Sequence, residues 1–207
     1  MFTGIINDIG TVVDLNEDIL TVSFNNNIYT NLDPGTSIAI DGCCLTLKEY
    51  RDGNLVFQVS NETFTRTALN NNHCGFVNLE LPATLDSFLS GHIVQGHVDS
   101  TINIHEIKEL ENNMWNFKFK DASSKYIVDK GSITINGISL TIVNPVKDMF
   151  EVAVIDETYN RTNLKHLNIG SAVNVEYDIL IKYRETINHD NWYKKYYKIL
   201  DRGGDVH

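Results

Sequence analysis

The sequence predicts an all-β protein of two tandem domains, each a small antiparallel barrel or sandwich. Three observations carry that prediction. The chain repeats itself at a nearly constant offset, its apolar residues alternate with polar ones at period two over many short segments, and its helical segments are few and short.

The duplication shows in three ordered blocks. Ser37-Ile38-Ala39-Ile40-Asp41-Gly42-Cys43-Cys44-Leu45-Thr46 is matched 95 residues on by Ser132-Ile133-Thr134-Ile135-Asn136-Gly137-Ile138-Ser139-Leu140-Thr141. Glu62-Thr63-Phe64-Thr65-Arg66-Thr67-Ala68-Leu69 is matched at the same offset by Glu157-Thr158-Tyr159-Asn160-Arg161-Thr162-Asn163-Leu164. Val77-Asn78-Leu79-Glu80 and Val173-Asn174-Val175-Glu176 follow at an offset of 96. A unit this long, present twice, is a globular domain and not a solenoid repeat. The predicted division is 1–92, 93–186 and a tail at 187–207. A length of 207 residues accommodates two domains of ~100 each.

The strands follow in chain order. Leu20, Val22 and Phe24 alternate with polar residues, as do Leu55, Phe57 and Val59, then Val77, Leu79 and Leu81. In the second unit Trp115, Phe117 and Phe119 alternate, then Phe150, Val152 and Val154, then Val173, Val175 and Tyr177. Such segments read as half-buried strands, and turn signals such as Asp52-Gly53 separate them. Closure into a barrel would remove exposed sheet edges. Ser123 to Gly131 reads as a brief helix, residues 62–70 and 157–166 as single turns, and 181–201, with Trp192, Tyr193, Tyr196 and Tyr197 at helical spacing, as the longest helix.

Charge narrows the function classes. The chain carries 17 Lys and Arg against 27 Asp and Glu, a net charge of −10. The first 92 residues hold three basic and eleven acidic residues, so no basic face for a polyanion is predicted, and a nucleic-acid-binding barrel is disfavoured. No run of ~20 apolar residues predicts a membrane span. The leading Met1-Phe2-Thr3-Gly4-Ile5 is unlike a signal peptide, and Cys43, Cys44 and Cys74 make a poor disulfide set, so a reducing cytoplasm is expected.

Chemistry concentrates in the duplicated motif. Cys44 stands where the second copy has Ser139, and Thr46 where it has Thr141, with Leu45 and Leu140 facing the opposite way. A small thiol or hydroxyl and a Thr on one face, in both copies, predict a ligand pocket in each. No Ser/His/Asp or Cys/His constellation is visible, so nucleophilic catalysis is not predicted. Gly91-His92-Ile93-Val94-Gln95-Gly96-His97-Val98-Asp99 reads as the linker. Its two His are five apart, on opposite faces of an extended chain, which disfavours a shared metal. One of them is expected to be structural and the other to serve as an acid or base. Lys130 replaces the Gly35 of the first copy, and Asp178 follows the last strand either as a helix cap or as a functional asymmetry.

Together, Met1 to Ile5, Gly42 to Thr46, Glu62-Thr63, Gly91-His92, Gly96-His97, Lys130-Gly131 and Gly137 to Thr141 resemble the riboflavin synthase family of the α-chain, lumazine-binding type, from residue 1 to about residue 185. The resemblance implies two tandem six-stranded antiparallel Greek-key barrels with a C-terminal α-helix. It implies a transferase of riboflavin biosynthesis that dismutates two molecules of 6,7-dimethyl-8-ribityllumazine to riboflavin and 5-amino-6-(D-ribitylamino)uracil by moving a four-carbon unit, with no cofactor and no metal. It also implies a homotrimer built through the tail, sites formed between subunits, and an association with lumazine synthase.

Carried over by motif, the first pocket would use Gly4, Ile5 and Ile6, Ser37, Cys44 to Thr46, and Gln58, Val59, Ser60, Asn61, Glu62 and Thr63. The second would use Gly96, His97 and Val98, Lys130, Ser139 to Thr141, and Ala153, Val154, Ile155, Asp156, Glu157 and Thr158. His97, Cys44, Ser139, Thr141 and Asp178 are the expected catalytic set. One departure is Asn136 where relatives are expected to carry Asp, and a turn role for it is preferred. The rival reading is a non-catalytic lumazine- or flavin-binding antenna protein, in which the second pocket would lose its polar residues.

Overall fold

The computed structural model describes residues 1–71, 75–121 and 124–189. The first unit contains β1 (Asp8–Asn16), β2 (Ile19–Ser23), β3 (Ser37–Ile40), β4 (Cys43–Arg51), β5 (Asn54–Gln58), α1 (Asn61–Arg66) and β6 (Phe76–Glu80). The second contains β7 (Ser100–Glu109), β8 (Trp115–Lys120), β9 (Ser132–Ile135), β10 (Ile138–Val146), β11 (Met149–Val154), α2 (Asp156–Asn160) and β12 (Ala172–Tyr177), and α3 (Ile179–His189) follows.

Each unit closes into a barrel, in the orders β1-β2-β5-β4-β3-β6 and β7-β8-β11-β10-β9-β12. Three consecutive hairpin strands with an earlier strand returned beside them make the Greek-key arrangement. All the pairings are antiparallel, and the registers repeat: Ser37 faces Thr46 and Ser132 faces Thr141. Leu20, Val22, Leu45, Phe57 and Leu79 fill the first barrel, and Phe117, Phe119, Leu140, Phe150 and Val152 the second. Each fully buried Phe or Leu contributes about 1.5–3 kcal/mol.

Alternation predicts one wet face per strand, but β6 and β12 are buried on both. Val77 and Leu79 point into the first barrel, while the polar Asn78 and Glu80 on the other face are also buried, at 0% and 3% exposure. The reason is that the barrels pack on each other through these outer faces. Asn78 donates through Nδ2 to the Asn136 carbonyl across the seam, and Asn174 returns the same bond to the Asp41 carbonyl. Gly42 and Gly137 meet there, each so close to the other's backbone that a Cβ on Gly42 would lie 2.6 Å from the Gly137 nitrogen. Phe76 and His166 stack at 4.0 Å, one from each half.

Two helical expectations differ from the structure. Around Ser123 to Gly131 the described residues form only a 3-10 turn at Ser124–Tyr126. The long helix starts earlier than expected, at Ile179, because Asp178 caps it: its Oδ1 accepts from the Leu180 N–H at 2.9 Å. The remainder of that prediction, including the aromatic stripe at 192–197, lies outside the described residues.

Candidate active site

The segment expected to be a linker is docked structure. Val94 pairs with Phe2 in an antiparallel bridge, so the two leading segments, residues 2–6 and 94–98, start side by side there and run apart in opposite directions. Each then crosses to the opposite barrel. The Gly4 carbonyl accepts from the Ser139 N–H at 2.8 Å, and the Gly96 carbonyl from the Cys44 N–H at 2.8 Å. Ile6 packs against the core of the second barrel and Val98 against that of the first. This corrects the expected pairing of segments with pockets. Gly4, Ile5 and Ile6 belong with Ser139, and Gly96, His97 and Val98 with Cys44. The exchange needs glycine at both crossings. Gly4 and Gly96 have φ of +79° and +80°, and a Cβ on either would lie 2.6 Å from the Cβ of Ser139 or Cys44 respectively.

On the first barrel a groove of about 560 Å³ is lined by Thr46, Leu47, Lys48, Gln58, Val59, Ser60, Asn61 and Asp18. Gln58 donates to Asp18 at 2.6 Å. Ser60 caps α1 through the Thr63 N–H at 3.1 Å. On the second barrel a cavity of about 170 Å³ is lined by Gly4, Ile5, Ile6, Ile138, Ser139, Glu157, Thr158, Arg161 and Thr162. Ile155 stands where Ser60 does and gives α2 no side-chain cap.

The other expected residues fall into three groups. Leu45, Val59, Leu140 and Val154 have their side chains in the barrel cores and present only backbone to a ligand. Thr46, Thr141, Ala153, Asp156 and His97 are exposed, and Glu62 and Glu157 pair with Arg66 and Arg161 at 3.2 and 3.0 Å. Ser37 starts β3 opposite Thr46, outside both cavities as lined. Lys130 is exposed at φ +62°, at the turn where the first barrel has Gly35 at φ +93°.

His92 is the linker histidine that the expected catalytic set left out in favour of His97. It is buried, with Nδ1 2.7 Å from the Ser139 hydroxyl and Nε2 3.1 Å from that of Thr134. A Ser/His pair therefore exists, contrary to the expectation from sequence. Burial pushes the imidazole below its ordinary value, and the negative charge of Asp178 acts in the opposite direction. A neutral ring with one donor and one acceptor nitrogen suits a bridge between two hydroxyls. The first barrel lacks this arrangement. Ala39 occupies the place of Thr134, so no hydroxyl stands there to hold a ring. There Cys44 packs with Phe2, Ala39 and Val94. Its neighbour Cys43 is buried, which pushes that thiol up to about 12. The two pockets thus share a frame and differ in chemistry: a thiol in apolar surroundings against a serine held by histidine and threonine.

The lumazine binding domain model matches this chain twice, at residues 3–82 and 95–178. The riboflavin synthase of Actinobacillus pleuropneumoniae is 38% identical over 190 residues, 89% of this chain and 88% of that protein. The riboflavin synthase of Buchnera aphidicola subsp. Schizaphis graminum is 40% identical over 186 residues, covering 86% and 89%. A crystal structure of LumP complexed with riboflavin superposes with a TM-score of 0.77 at 26% identity, covering 86% of this chain and 99% of that one.

Proposed function

The chain belongs to the lumazine-binding domain family and, within it, to the riboflavin synthases, and from that premise we propose how its two pockets divide the reaction. Each pocket takes one molecule of 6,7-dimethyl-8-ribityllumazine. A four-carbon unit passes from one molecule to the other, which leaves riboflavin and 5-amino-6-(D-ribitylamino)uracil and needs no outside oxidant. The observation that carries this reading is the inequality of two otherwise equivalent pockets, Ser139–His92–Thr134 against Cys44–Ala39. Identical substrates with donor and acceptor roles require that combination.

In this scheme neutral His92 accepts a proton through Ser139 from the acidic C7 methyl of the lumazine. The resulting anion is held by backbone N–H donors and by Thr141. Cys44, Thr46 and His97 serve the other substrate. Asp178 acts on His92 by its charge and on α3 as its cap. Relatives named riboflavin synthase are 34–40% identical to this chain and the LumP structures 24–26%, which favours turnover over an antenna role.

The proposal extends to a cytoplasmic homotrimer associated with lumazine synthase as its substrate source. Leu180 and Tyr183, three apart on α3 and 64% and 61% exposed, supply an apolar stripe for assembly. Among the described residues no helix is long and apolar enough to cross a membrane. The test is to incubate the pure protein with 6,7-dimethyl-8-ribityllumazine alone and follow riboflavin by absorbance. Tight binding without product would sink the enzymatic reading. Sedimentation of a chain lacking residues 187–207 tests the trimer, and an unchanged trimer refutes the role of the tail.

A further inference from the structure

Two buried carboxylates have no part in the scheme above. Glu80 is the last residue of β6 and Glu176 the last but one of β12, each 3% exposed. Glu176 accepts three backbone N–H bonds, from Gln95 at 2.6 Å, Gly96 at 2.9 Å and His97 at 2.8 Å. Glu80 accepts from the Thr3 N–H at 2.7 Å, the Thr3 hydroxyl at 2.8 Å and the Gly4 N–H at 3.0 Å. Burial pushes both carboxyls above their ordinary range, and these N–H donors pull them back. Convergent donors of this kind call for a group that only accepts, on both oxygens.

The bonds lead onward to the pockets. The same Gly4 and Gly96 that donate to the carboxylates accept, through their carbonyls, from the N–H groups of Ser139 and Cys44 at 2.8 Å. Only one residue separates carboxylate from pocket residue, and that residue has no room for a Cβ. The connection is crossed: Glu80 belongs to the first barrel and reaches the second barrel's pocket, and Glu176 does the reverse. The His97 segment has a further hold. Asp99 accepts from the Tyr177 N–H at 2.9 Å and pairs with Lys182 at 2.8 Å, whereas the uncharged side chain of its counterpart Asn7 accepts the equivalent Leu81 N–H at 2.8 Å and can form no ion pair.

We propose that Glu80 and Glu176 are crossed positioning residues of the reaction, Glu176 setting His97 and Cys44 in the first barrel's pocket and Glu80 setting Ile5 and Ser139 in the second's. This rests on the reading of the two pockets as lumazine sites. A mere seam-filling role would make the two residues interchangeable in effect, and positioning makes them pocket-specific.

The test uses the full chain with Glu176→Gln, Glu80→Gln and Glu176→Asp. Glutamine places an NH2 against an N–H and breaks the grip. Aspartate keeps the charge but draws the oxygens back by one methylene, which separates position from electrostatics at the nearby thiol. Alkylation of Cys44 by iodoacetamide, followed by tandem mass spectrometry, needs no turnover. Both Glu176 variants are expected to change its rate about fivefold or more, with Glu80→Gln within about twofold of wild type. Both Gln variants are expected to lower kcat about tenfold or more, with KM changed by less than about threefold. Equal Cys44 rates in all three variants, or a fall in Tm with kcat and alkylation unchanged, overturns the proposal. Should Glu176→Gln fail to fold, Glu176→Asp decides alone by the same readouts. If the wild-type chain makes no riboflavin, the functional reading fails, while the alkylation arm still decides whether Glu176 sets Cys44.

Discussion

Asn163 of the second barrel donates its side-chain amide across the seam to the carboxylate of Asp41 in the first, at 2.9 Å. The Asn78 N–H donates to the same oxygen at 2.7 Å. Asn136 takes the place of Asp41 in the second barrel, and Ala68 of the first unit that of Asn163, so only half of this arrangement recurs: the Asn174 N–H donates to Asn136 at 2.7 Å. The Asn that departs from expectation therefore keeps its turn, and its side-chain oxygen accepts a backbone N–H within its own barrel as Asp41 does from Asn78.

Burial pushes the Asp41 carboxyl up to about 8 from an ordinary 3.8, with the Asn78 and Asn163 bonds working against the rise. The folded chain thus holds a proton that the unfolded chain releases. That contribution to stability is fully present below the unfolded value and is lost as pH rises to about 8. Urea midpoints of the wild type are expected to fall from roughly pH 5 to pH 8 more steeply than those of Asp41→Asn. Glu80 and Glu176, also raised, tilt both proteins alike, so the difference isolates Asp41. Parallel curves would show that Asp41 keeps its charge in the seam.

Gly42→Ala drives a methyl into the Gly137 backbone, where no side chain can yield. A loss of about 3 kcal/mol or more is expected by chemical denaturation, since the barrels must separate to admit it. A substitution at Gly53, where a Cβ would meet nothing within 4 Å, is the control for backbone conformation alone, because its φ of +80° is nearly that of Gly42.

His92→Ala removes the bridge between Ser139 and Thr134. A fall in kcat on the order of 100-fold is expected from rapid-quench or steady-state assay. The larger cavity costs stability as well, so His92→Gln, which can still reach one hydroxyl, should recover Tm before it recovers kcat. Recovery of both together would make His92 a packing residue.

Asp178→Asn keeps a capping oxygen and removes the charge that holds the His92 value up against burial. The His92 value then falls further, and the acid limb of the kcat/KM profile moves to lower pH. The neutral form is the working form, so the plateau rate is expected to stay. A large loss on the plateau would place Asp178 against the substrate instead.

Much of the fold is legible in the sequence because duplication marks register directly: the offset of 95 that aligns Thr46 with Thr141 also aligns the β4 and β10 hairpins. What could not be read is where outward faces go. Asn78, Glu80 and Glu176 sit at positions that alternate with core residues, which is the signature of a wet face, and the facing barrel or the docked leading segments cover them instead. The site was legible as motifs and not as pairings. Ser139 and Cys44 stood out, yet nothing in local spacing links Ser139 to His92, 47 residues away, or sends Gly4 to the far barrel. A signal did exist in the gap itself: Gly4 and Gly96 stand at an offset of 92, three or four fewer than the repeat elsewhere. That shorter offset sets the leading segments apart as a pair of their own.

The exchange of leading segments also governs how such a chain can change over generations. A tandem copy that kept its whole pocket to itself could drift, be replaced, or be lost without troubling its twin. Here a chimera joining the front half of one homologue to the back half of another would alter both pockets at once, since each would inherit a wall from one parent and a floor from the other. The two halves are therefore bound to co-evolve, and a change of ligand preference in either must be negotiated with both.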